Sequence, residues 1–197
     1  MNVRLLLVCV SMILMAFAPG NAIAAPSKAG DTPLSQGGSA MTFKIESTMF
    51  QDKGPMPVAC TCDGKEMSPA LSWSGLPEGT KSLALIVDDP DAPDPAAPKM
   101  TFVHWVLFNI PPSANGFPEG VKSLPPGTRE GLNDRKQPGY TGPCPPIGTH
   151  RYFHKLYALD TVLDLPGTPT KAELEATMKG HILAQATLMG TYARSKK

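Results

Sequence analysis

A mainly β fold, an antiparallel sandwich with one or two short peripheral helices, is predicted by three features of this sequence. Its 22 prolines and 18 glycines are spread through the chain, which cuts it into short elements and argues against a helical bundle. Several near-continuous apolar runs stop abruptly at turn residues, as central strands covered on both faces do. A clear helix-start signature stands near the C-terminus, where it starts a short element.

From the N-terminus, Met1 to Ala24 reads as a secretory signal peptide. Arg4 precedes an apolar run from Leu5 to Phe17, and Ala22-Ile23-Ala24 supplies the small-residue cleavage pattern. Residues 25–40, rich in Gly, Ser, Pro and Lys, describe a disordered leader. Residues 41–197 have the size of a single domain with one core. No later segment approaches the roughly 20 apolar residues that a membrane span needs. The mature protein is therefore expected outside the cytoplasm, periplasmic or secreted.

Within the domain, Met41 to Met49 alternates, with Phe43, Ile45 and Met49 on one side and Lys44, Glu46 and Thr48 on the other. Ala70 to Trp73 is a short strand stopped by Gly75 and Pro77. Ser82 to Val87 is an apolar run ending at Asp88, Val103 to Ile110 is closed by Pro111-Pro112, and Arg151 to Leu159 is a third such run. Residues 88–100 and 113–149 read as long irregular segments dense in Pro and Gly, and loops of that length in a compact domain tend to carry function. Thr170 and Glu173 form a capping box for a helix running to Lys179, with Gly180 as its left-handed stop. Ile182 to Ala193 then reads as a final strand, with Ala184, Ala186, Leu188, Gly190 and Tyr192 at alternate positions. Continuation of the helix to Leu188 is the rival reading.

Lys and Arg number 18 against 17 Asp and Glu and form no basic stripe, so the electrostatic footprint of a nucleic-acid binder is absent. Once Cys9 leaves with the signal peptide, Cys60, Cys62 and Cys144 remain. In an oxidising compartment that odd number suggests one disulfide plus one thiol. A bridge between Cys60 and Cys62, only two residues apart on one strand, is disfavoured by disulfide geometry. Cys62 with Cys144 is the expected pair, and three reduced core cysteines are the alternative.

Two polar clusters stand out. Asp88-Asp89-Pro90-Asp91-Ala92-Pro93 follows an apolar run, with His104 soon after inside another. Gly142-Pro143-Cys144-Pro145-Pro146 leads through Gly148 into His150-Arg151-Tyr152. A histidine in a central strand must satisfy its ring nitrogens, and a nearby carboxylate would do so while favouring the imidazolium. Taken singly, these residues have ordinary readings: Asp-Pro pairs start turns, and a lone core histidine is usually structural. His150 and Tyr152 share one strand face, while Arg151 takes the other.

In order, spacing and content, Asp89-Pro90-Asp91-Ala92-Pro93, His104-Trp105-Val106-Leu107-Phe108-Asn109-Ile110-Pro111 and Gly142-Pro143 followed by His150-Arg151-Tyr152 resemble the two signature blocks of the phosphatidylethanolamine-binding proteins. Thr61-Cys62-Asp63-Gly64 and Gly142-Pro143-Cys144-Pro145-Pro146 look like the bacterial, Raf-kinase-inhibitor-like branch. The resemblance implies a Greek-key sandwich with an anion pocket at one end. Carried over, Asp89 and His104 line that pocket and Asp91 and Pro93 shape its wall. The backbone near Gly142 and Pro143 meets the anion, and His150 and Tyr152 complete the rim. Backbone amides of a Gly-rich turn suit an anion.

The implied activity is non-catalytic binding of a small phosphate-like anion or a phospholipid head group, with neither cofactor nor metal. A homodimer is expected only by analogy with bacterial relatives. The chain departs from the eukaryotic members in ending on a strand and in reading Gly-Pro-Cys-Pro-Pro in the loop, which weighs against kinase inhibition. The alternative function is inhibition of, or interaction with, an extracytoplasmic protein such as a protease. A hydrolase using His104 or His150 with Asp89 ranks below these, because no Gly-x-Ser-x-Gly elbow, His-Glu-x-x-His helix or phosphate loop is present. A Ca²⁺ site at Asp88, Asp89, Asp91 and Asp94 would supply hard oxygen ligands, but the intervening prolines oppose it.

Overall fold

The computed structural model describes residues 42–194, all within the unit Ser39–Lys197. The predicted signal peptide and leader lie outside the described residues. Among the described residues the strands are β1 (Lys44–Glu46), β2 (Leu71–Ser74), β3 (Ser82–Ala92), β4 (Met100–Ile110), β5 (Gly116–Phe117), β6 (Arg129–Glu130), β7 (Thr149–Leu159) and β8 (Ile182–Ala193), with one α-helix, α1 (Lys171–Met178). They form two antiparallel sheets, β1-β2-β5 and β6-β4-β3-β7-β8. This is the expected mainly β sandwich.

Why β3 is apolar throughout its first half follows from what covers it. Leu83, Leu85 and Val87 face the smaller sheet, where they pack with Ile45, Trp73 and Phe117. Ala84 and Ile86 face the other way and, with Val106 and Phe108, lie in the cluster that Leu174 and Met178 of α1 complete. A strand buried on both faces cannot alternate. Each fully buried aliphatic side chain contributes about 1.5–3 kcal/mol. The helix starts where expected, Thr170 and Glu173 exchanging both capping hydrogen bonds.

Several elements differ from the sequence reading. β3 does not stop at Val87 but runs to Ala92, with Asp88 paired to Val103, Asp89 to Phe102 and Ala92 to Met100 on β4. Aspartates read as a turn stay in the sheet because each acquires a partner. Asp88, fully buried, accepts from Lys155 Nζ at 2.8 Å and from Lys171 Nζ at 2.5 Å, which ties the start of α1 to β3. β1 covers only three residues of the predicted nine-residue strand. β5 and β6 are short strands inside the segment read as irregular. Cys60 and Cys62 do not share a strand: Cys60 ends a 3-10 turn, Val58–Cys60, and Cys62 follows in a loop.

One core residue carries a pH dependence. His154 of β7 is fully buried in the inter-sheet layer, its ring 5.5 Å from that of Phe50, and neither ring nitrogen finds a good hydrogen bond. Burial pushes its pKa down to about 4, and the backbone of Tyr152 and Leu188 nearby offsets only part of this. The folded value lies below the unfolded one, near 6.5, so between those pH values the unfolded chain takes up a proton that the native state refuses. The contribution of His154 is full well above pH 6.5 and falls by about 3 kcal/mol as the pH drops to 4. Denaturant unfolding at a series of pH values should show that loss, and His154→Leu should make the slope clearly shallower.

Candidate functional site

A cavity of about 220 Å³ opens at the end of the sandwich where β3, β4 and β7 meet two loops. Asp89, Ala92 and Pro93 reach it from β3 and the residue just beyond, and Met100, Phe102 and His104 from β4. Gly142, Cys144, Pro145 and Pro146 come from the loop before β7, His150 from its first turns of strand, and Arg135 from a second loop. Of the residues singled out from the sequence, Asp89, Pro93, His104, Gly142 and His150 therefore share one lining. Asp91, Pro143 and Tyr152 do not belong to it.

The two histidines are held differently from the expectation that a carboxylate would serve His104. His150 takes the carboxylate: its Nδ1 lies 2.7 Å from Asp89 Oδ2, with both side chains buried, and its Nε2 lies 3.1 Å from the carbonyl of Ile147. Both ring nitrogens thus face oxygen acceptors, an arrangement that an imidazolium satisfies fully. The other Asp89 oxygen accepts from the Asp91 amide at 2.8 Å. His104 instead places Nδ1 2.8 Å from the Thr141 carbonyl. A carbonyl can only accept, so Nδ1 carries the hydrogen. Burial lowers the His104 pKa; the Thr141 carbonyl and the Asp89 charge oppose that shift without cancelling it.

The wall loop is positioned by its contacts with the segment 60–62. Thr141 N donates to the His104 carbonyl at 3.0 Å, returning the bond that the ring makes to Thr141. Cys62 N donates to the Pro143 carbonyl, and a Cys62–Cys144 disulfide fastens the two segments with Cα atoms 5.4 Å apart. Cys60 remains a buried thiol, its pKa pushed up to about 11 by burial. Gly142 is required by packing: a Cβ there would sit 2.7 Å from the Cys60 carbonyl oxygen. Pro143 therefore contributes its carbonyl to the loop's support, and Gly142 the close approach.

Asp91 and Tyr152 support the site from behind. Asp91 accepts from the Arg151 amide and from its guanidinium at 2.9 and 2.7 Å, and these bonds hold its pKa below the ordinary carboxylate value. Tyr152 is buried between the two histidines, edge-on to His104 at 5.2 Å and stacked with His150 at 6.4 Å. Burial raises its pKa strongly. The aspartates do not converge as a cation site would require, since Asp88 turns to lysines, Asp89 to His150, Asp91 to Arg151 and Asp94 to the Ala96 amide.

Arg135 was not among the residues singled out from the sequence. Its loop is folded by buried Asn133, which accepts from the Arg135 amide and donates to the Gly139 carbonyl, and by Asp134, which exchanges hydrogen bonds with the backbone of Val103. Asn133-Asp134 beside an arginine in a Pro/Gly-rich segment was the available signal, since both residues favour backbone-bonded turns. Arg135 also pairs with Glu66 at 3.3 Å, on the exposed side.

Comparison with known proteins adds a family. A family model described as phosphatidylethanolamine-binding protein matches residues 46–193. A UPF0098 protein of Methanothermobacter thermautotrophicus is 50% identical over 155 residues, covering 77% of this chain and 99% of its own length. Another from Aquifex aeolicus is 43% identical over 165 residues, covering 81% and 92%. The crystal structure of a phosphatidylethanolamine-binding protein homologue from Chlamydia trachomatis matches with a TM-score of 0.72 at 39% identity, over 78% of this chain and 98% of that one. Escherichia coli YbcL, described as a new member of the mammalian family, matches with 0.70 at 30% identity, over 78% and 99%.

The geometry of His104 yields a direct check. At pH 7 its ring should be neutral with the hydrogen on Nδ1, and it should remain neutral below pH 6.5 because its pKa is lowered. Nitrogen-15 spectra of the ring through an acid titration would read both; a hydrogen on Nε2, or ordinary titration near 6.5, would contradict the geometry.

Proposed function

The chain belongs to the phosphatidylethanolamine-binding protein family, as its sequence blocks lead one to expect, and we propose that it is an exported, non-catalytic binding protein for a small phosphate-like anion. The anion is taken free or as part of a phosphorylated head group. The observation that carries this reading is that one small cavity is lined both by Arg135, a fixed positive charge, and by His150, whose two nitrogens both meet acceptors. Guanidinium geometry suits phosphate oxygens. The remaining lining is mostly apolar, with Phe102, Met100, Pro93, Pro145 and Pro146, which excludes water and strengthens a charged contact.

Absence of turnover is supported by what the polar groups already do. Asp89 spends both oxygens on protein partners, the His150 nitrogens are both engaged, and Cys144 is held in a disulfide. No carboxylate orients His104 as a general base needs. Export is supported by the leader pattern at residues 1–24 and by a disulfide of the kind that persists in oxidising compartments. Among the described residues no helix is long and apolar enough to cross a membrane.

Titration of the purified protein with inorganic phosphate and with phosphoethanolamine, followed on the ring resonances of His104 and His150, tests the proposal. Both rings should shift together, the shifts should vanish in Asp89→Ala, and Arg135→Gln should weaken binding roughly tenfold, the worth of one charge-assisted hydrogen bond. Silence of both rings at millimolar ligand would refute the anion reading.

A further inference from the structure

We propose that a second cavity, lined by neither His104 nor His150, binds a free α-amino acid in its zwitterionic form. It encloses about 280 Å³ and draws on stretches that the first cavity does not use: Glu66 and Ser68, then Val121, Lys122 and Leu124, and Glu130 of β6. The segment 133–144 contributes to both, with Arg135, Gly142 and Cys144 on the first lining and Gly139 and Tyr140 on the second. On β4 the neighbours His104 and Trp105 divide in the same way. The proposal is independent of the anion reading.

Opposite charges that line one cavity without meeting select the ligand. Among the described residues no hydrogen bond or ion pair engages the half-buried Glu130 carboxylate or the exposed Lys122 ammonium, and the two do not pair with each other. Glu66, the second carboxylate, reaches only Arg135, at 3.3 Å. Two further donors belong to the same lining. Trp105, 2% exposed, has an indole N–H with no acceptor in the protein, and Ser68 Oγ accepts from the Val121 amide while its own hydrogen stays uncommitted. Tyr140 spends its hydroxyl on the Cys60 carbonyl and so adds apolar surface. A simple cation would leave Lys122 unanswered, and a simple anion would meet two carboxylates. A ligand with an ammonium and a carboxylate answers both ends, since complementary charge decides between ligands of one size. Met67, Val121 and Leu124 complete an apolar wall that suits an aliphatic side chain.

Leucine, leucinamide and N-acetylleucine separate the two charges on the unmodified protein. At about pH 6, below the roughly 7.7–8.0 of an α-amino group, the first carries both charges, the second only the ammonium and the third only the carboxylate. Calorimetry should show leucine binding at least roughly tenfold tighter than either. In proton spectra the indole N–H of Trp105 should move on binding while that of Trp73, which donates to the Ala114 carbonyl, stays in place, and the His104 and His150 rings should not respond. Glu130→Gln and Lys122→Gln should each abolish the preference for leucine and leave the fold intact, because neither side chain has a protein partner to lose. Binding of leucinamide or of N-acetylleucine as tight as that of leucine overturns the proposal. So does leucine binding that moves the two histidine rings and not Trp105, or the absence of leucine binding at millimolar concentration.

Discussion

Three buried aspartates on one strand set the terms for the rest of the structure. Asp88, Asp89 and Asp91 are each at most a few per cent exposed at the end of β3, and a buried carboxylate without compensation costs several kcal/mol. Each is answered by a different element. Lysines of β7 and α1 converge on Asp88, His150 of β7 binds Asp89, and Arg151, the next residue along β7, clamps Asp91. The start of β7 and the start of α1 are thereby fixed relative to β3 by charge as well as by the sheet ladder.

The cavity is a consequence of that arrangement. Because Asp89 is used to hold His150, it is not available to His104, which turns to the Thr141 carbonyl instead. That choice ties the wall loop to β4, and the loop is closed from outside by the Cys62–Cys144 bridge and the close packing at Gly142. The site is therefore held on the side of β3, β4 and β7 by these bonds, and Arg135 comes to its lining from a loop that Asn133 and Asp134 fold. Two histidines that look alike in the sequence end in different states, one engaged at both nitrogens and one with a buried nitrogen that has no partner.

Much of this was legible beforehand. The final strand, Ile182–Ala193, and the capping box of α1 follow from local periodicity and from one four-residue signature, because both are properties of neighbouring residues. The central strands were visible as apolar runs, and the long-range cysteine pair was the one expected. The extension of β3 through Asp88 to Ala92 was not. Aspartate and proline are turn formers by local preference, and only distant lysine, histidine and arginine partners reverse it. The same distance hid Arg135, which reaches the cavity from a loop more than thirty residues from the block that contains Asp89.

By itself the sequence determined the class of fold, the family and the small set of polar residues from which a site could be made, since these depend on composition, period and ordered blocks. Which of those residues meet was decided by the tertiary structure. Pairing Asp89 with His150, turning Asp91 to Arg151, sinking Tyr152 behind the rings and bringing Arg135 to the cavity all depend on sheet register and loop closure. Hydrogen bonds between residues 60 or more apart in the chain, such as Asp89 with His150, exist only once the strands that carry them are packed.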